Sequence, residues 1–170
     1  IELLDFFASD DRLDGLWLVQ ASDHLVTLPA PALRVLAASA APVTAEQVDA
    51  AKRAWAAFTA PTPERLATLA IADTPSLPFL GPALRRLLQE LPLVTSGLGL
   101  TEERILAALA PGQRTVAEVF AATEAQEPAR YLGDAAFFRR LDRLAFVPQP
   151  LISGLAFPST RCAGGPDSAD

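Results

Sequence analysis

The chain has 170 residues, is 51% hydrophobic and 20% charged, and carries a net charge of −6. Those values describe a globular chain of one domain or two small ones with a core of its own, and they weigh against a protein whose main task is neutralising phosphates. A lone cysteine, Cys162, excludes a disulfide framework, and with the only histidine, His24, far from it in the sequence, the composition argues strongly against a zinc site.

The opening run IELLDFFA places Ile1, Leu4 and Phe7 at helical spacing, and LWLVQ, Leu16 to Gln20, reads as a short strand between Gly15 and Ser22. One isolated strand leaves its backbone donors and acceptors without partners. Residues 1–28 are therefore expected to be the remnant of an α/β unit whose earlier strands lie upstream. That the chain begins at Ile1 and contains no methionine fits a preceding segment.

Residues 29–94 read as a helical region punctuated by many of the 15 prolines. PALRVLAA gives a short helix, and Thr44 caps AEQVDAAKRAWAAF with Gln47 completing a capping box. Thr62 before Pro63 reads as the cap of PERLATLA, and PFLGPALRRLLQEL is expected to run until Pro92.

Residues 95–157 follow the small joint TSGLG. Three helices are expected there: TEERILAALA capped by Thr101, TVAEVFAATEAQ with the box Thr115 to Glu118, and GDAAFFRRLDRLAF capped by Asp134. The β-capable PLISGLAF then completes a winged-helix order without a long wing, and residues 158–170 read as a flexible polar tail. No apolar run approaches the ~18 residues of a membrane span, and no basic-then-apolar leader opens the chain. Thirteen arginines against a single lysine, Lys52, point to a bacterial protein of GC-rich origin, expected in the cytoplasm.

VTAEQVDAAKRAWAAFTAPTPERL, DTPSLPFLGPALRRLLQELP, GLGLTEERILAALA and YLGDAAFFRRLDRL together resemble the later parts of an uncharacterised bacterial family of unknown function, of the DUF1835 type. The resemblance extends from Ile1 to about Ile152 and implies an α/β region, a helical middle and a winged-helix-like end. It brings no activity with it. It also implies that the family's opening strand and its acidic, histidine-bearing segment lie before Ile1, while the tail after Ser153 departs from the pattern.

Three constellations remain. At about 100° per residue, Phe137, Phe138, Leu141, Leu144 and Ala145 share one face of the last helix and Arg139, Arg140 and Arg143 the opposite one. An outward arginine face can fork onto guanine edges or phosphates, as a DNA-reading helix requires. The plainer alternative pairs these arginines with nearby Asp142, Glu124 and Glu127, each pair worth roughly 0.2–0.5 kcal/mol. Asp23 and His24 follow the strand Leu16–Gln20 at the end where open α/β sheets bind ligands, and are candidate ligand contacts. Asp10, Asp11 and Asp14 could approach a cation but lack the glycine and terminal glutamate of a calcium loop, so they read as a solvated turn. No phosphate-cradle or nucleophile-elbow pattern is present.

The expectation is a mainly α chain with a residual α/β element at the N-terminus, a helical middle and a three-helix, winged-helix-like C-terminal module. Its expected role is non-catalytic binding to a protein partner or to itself, without cofactor or metal. The alternatives are a DNA-binding regulator using residues 134–146, and an enzyme or ligand-binding protein whose site lies at the end of the 16–20 strand and in an upstream segment.

Overall fold

A computed structural model describes residues 2–9, 14–22 and 24–155. The fold is mainly α. Its elements in chain order are α1 (Glu2–Ser9), β1 (Trp17–Leu18), a 3-10 turn (Leu25–Thr27), α2 (Ala30–Ala38), β2 (Ala41–Pro42), α3 (Ala45–Phe58), α4 (Glu64–Ile71), α5 (Leu80–Leu88), α6 (Leu100–Leu109), α7 (Val116–Glu124) and α8 (Asp134–Ala145). The described residues fall into two compact units that divide between Leu88 and Gln89.

In the first unit, α3 forms because Thr44 and Gln47 close a reciprocal capping box, the Gln47 N–H donating to Thr44 Oγ1 and the Thr44 N–H to Gln47 Oε1. Ala50, Ala51, Ala54 and Ala57 line the buried face of α3, and these small side chains bring the backbone close to its neighbours. Leu66 and Ala70 of α4, Leu77, and Leu80 and Leu84 of α5 complete the core, with Leu4 of α1 and Leu18 of β1 packed at its margin. The Arg85 guanidinium donates to the Ala70 carbonyl at 2.6 Å, satisfying one of the carbonyls left open where α4 ends.

Several boundaries differ from the sequence expectation. The strand in LWLVQ shortens to two residues, and its partner is downstream: Trp17 pairs with Pro42 and Leu18 with Ala41, antiparallel. β2 thus gives this strand one partner from within the chain. Pro63, not Thr62, is the residue before α4, and α5 stops at Leu88, ahead of Pro92.

In the second unit, Ile105 and Ala108 of α6, Val119 of α7 and Phe137, Leu141 and Leu144 of α8 form the core. The Phe120 and Phe137 rings meet edge to face with centroids 4.9 Å apart, an arrangement worth roughly 0.5–1.5 kcal/mol beyond the area it buries. Thr115 caps α7 in the expected box with Glu118. Gly133 rather than Asp134 precedes α8, whose Asp134 carboxylate instead accepts from the Ala135 N–H. The β-capable segment after α8 forms no strand among the described residues: the N–H groups of Leu151 and Ile152 both turn back to the Leu144 carbonyl. Three helices are therefore present without a β wing in residues 146–155.

Candidate functional site

α8 carries the arginines, and its register follows from Phe137, Leu141 and Leu144, which are buried at helical spacing. Phe138, expected on the same face, is 37% exposed at its edge. The opposite face is not a free row of cations. Arg140 Nη2 lies 3.1 Å from Glu90 Oε2, and Arg143 Nε lies 3.8 Å from Glu102 Oε1. Arg139 is exposed and makes no ion pair among the described residues.

The partners are not the acids that sequence proximity offers. Glu127 instead binds Arg104, whose guanidinium also donates to the Gln126 carbonyl at 3.1 Å and so ties α6 to the chain after α7. Both carboxylates facing α8 are nearly buried, with side chains 6% exposed. Burying charge is unfavourable unless hydrogen bonds and opposite charges replace water. Thr101, expected to cap α6, lies inside the helix and donates its hydroxyl to Glu90, while Gly99 occupies the position before the helix and its N–H donates to Glu102 Oε2 at 3.0 Å. Two carboxylates thus gather at the N-terminus of α6, where the helix dipole favours negative charge. The Arg143 contact is longer than a hydrogen bond and 64% exposed on the arginine side, so solvent screens it. The arrangement seats α8 against residues 89–102 through Arg140 and leaves Arg139 and Arg143 at the surface.

The strand-end candidates separate. Asp23 lies outside the described residues. His24 is exposed, and its backbone carbonyl accepts from the Thr27 N–H and hydroxyl, opening the 3-10 turn. A groove of about 450 Å³ does lie at this end of β1, between Ala21 and Ser22 on one side and Leu28, Ala32, Val35 and Leu36 on the other, but His24 does not line it. Asp10 and Asp11 also lie outside the described residues, as does Cys162. Among the described residues no cluster of three or more His, Cys, Asp or Glu could hold a metal ion, and no helix is long and apolar enough to cross a membrane.

What the sequence reading missed is how much of the segment around this groove stays at the surface. Trp17 is 59% exposed, Val26 86% and Val35 74%, with Val19, Leu25 and Leu33 also open to solvent. α2 has no fully buried residue, only the half-buried Ala32 and Leu36. In β1 the two-residue alternation turns Leu18 to the core and Trp17 outward. The segment is anchored at its margins: the side-chain amides of Gln20 and Gln47 both donate to the Ser76 carbonyl, at 3.2 and 3.3 Å. A second depression of about 320 Å³ is bordered by Glu46, Asp49, Arg53, Asp73, Thr74 and Ser76 together with the apolar Ala50 and Pro75. Glu46 itself is held below the ordinary glutamate range by its own backbone N–H and then by Thr44.

Set beside known proteins, the chain matches no family model, no curated protein and no solved structure.

Proposed function

We propose that this chain is a non-catalytic interaction protein that docks a protein partner through the apolar surface of β1, the 3-10 turn and α2. One observation carries this reading: α2 is a nine-residue helix with no fully buried residue, and in the stretch from β1 to α2 Trp17, Val26 and Val35 are more than half exposed. Scattered single apolar residues are ordinary on a protein surface, whereas several within one short segment bordering an apolar groove are characteristic of binding surfaces. A helix gains most of its stability from packing one face, and α2, whose Ala32 and Leu36 are only half-buried, has room for a further packing partner.

The test compares wild-type protein with the triple variant Trp17→Ser, Val26→Ser, Val35→Ser. Proteins captured by each from bacterial extract are identified, purified and titrated directly. A partner bound by the wild type and bound at least about tenfold more weakly by the variant, equivalent to about 1.4 kcal/mol, supports the reading. Equal binding by both chains overturns it. A second reading, duplex DNA contacted through α8, is supported by the exposed Arg139 and Arg143 and is weakened by the tie of Arg140 to Glu90.

A further inference from the structure

We draw no further inference here: the strongest candidate, the apolar groove of about 450 Å³ between the residues after β1 and helix α2, belongs to the docking surface already proposed, and nothing in the structure shows what covers it.

Discussion

Arg140 and Thr101 meet on the same carboxylate: the guanidinium lies 3.1 Å from Glu90 Oε2 while the Thr101 hydroxyl donates to Oε1. One buried anion therefore joins the middle of α8 to the first turn of α6. Removing a single partner leaves the other charge without compensation in a site that water reaches poorly. Glu90→Ala is expected to lower stability by roughly 2–4 kcal/mol, below the full loss of a wholly buried pair because Arg140 can rehydrate. Urea unfolding checks this, with an unchanged denaturant slope showing that the same cooperative transition is being measured. A change under about 0.5 kcal/mol, typical of a surface substitution, would refute the seating role.

Gly99 packs against the same residue through backbone. A Cβ at this position would stand 2.6 Å from the Glu90 carbonyl oxygen, and neither backbone can step aside cheaply. Gly99→Ala is expected to cost roughly 1–3 kcal/mol, the usual range for overpacking a tight site. Gly133→Ala is the matched control, since it holds the same place before its helix with open space and φ −76, and it is expected to cost only the preference for glycine over alanine at a helix cap, under about 1 kcal/mol. Thermal unfolding of the two variants, measured side by side, distinguishes close approach from a generic effect of replacing glycine.

The α7 capping box makes a pH-dependent prediction. Glu118 is held below the ordinary glutamate range first by the Thr115 backbone N–H, then by the Thr115 hydroxyl, with Arg114 contributing last. A carboxyl group whose folded value is depressed stabilises the fold above its unfolded value, and that contribution disappears as pH falls through the folded value. Thr115→Ala removes the hydroxyl and should move the Glu118 titration upward, which side-chain NMR follows directly. An unmoved titration would show that the hydroxyl contributes nothing.

Duplex DNA binding is expected to be absent or very weak. With Arg140 held by the buried Glu90, the exposed Arg139 and Arg143 are the α8 cations left to meet phosphate, too few for the chain to reach even the non-specific dissociation range of ~10⁻⁴–10⁻⁶ M at physiological salt. Fluorescence anisotropy with random duplex at about 50 and about 200 mM salt measures this. Arg139→Gln is the informative variant, because Arg140→Glu would place a second carboxylate beside Glu90 and confuse unfolding with lost contact. Salt-sensitive micromolar binding abolished by Arg139→Gln would restore the DNA reading.

Local chemistry was legible in the sequence and distant pairing was not. Thr44 with Gln47 and Thr115 with Glu118 lie three residues apart, and both boxes form. The apolar spacing of Phe137, Leu141 and Leu144 likewise identifies the buried face of α8. The partners of its arginines were misassigned because Glu90 and Glu102 are far away in sequence, and only the tertiary fold brings them near. A weak signal did exist for Glu102, which stands three residues after Gly99 as an N-terminal helix residue, but Gly99 has no side chain to announce a cap. The strand pairing was missed for a related reason: Ala41–Pro42 has none of the branched or aromatic character that marks a strand. Apolar content alone also cannot say that Trp17 faces outward while Leu18 faces the core.

The surface substitutions central to the proposal should leave the fold intact. Trp17, Val26 and Val35 are each more than half exposed, so the triple serine variant should unfold within roughly 1 kcal/mol of the wild type if each site contributes no more than an ordinary surface position. Leu18→Ser, which removes an apolar side chain packed at the core margin, should be more destabilising than any one of the three. Matching denaturation midpoints for the triple variant and the wild type check this.

The most direct measurement is the emission of Trp17 in a Trp55→Phe background, titrated with a partner protein captured by the wild-type chain. Trp55 is half-buried and stacked on Phe58 with ring centroids 5.6 Å apart, so its removal isolates the exposed indole. A protein docking on β1, the 3-10 turn and α2 should shift that emission to the blue, protect it from aqueous quencher, and lose both effects with Val26→Ser and Val35→Ser. Saturable binding that leaves Trp17 as accessible to quencher as in the free protein would contradict the account.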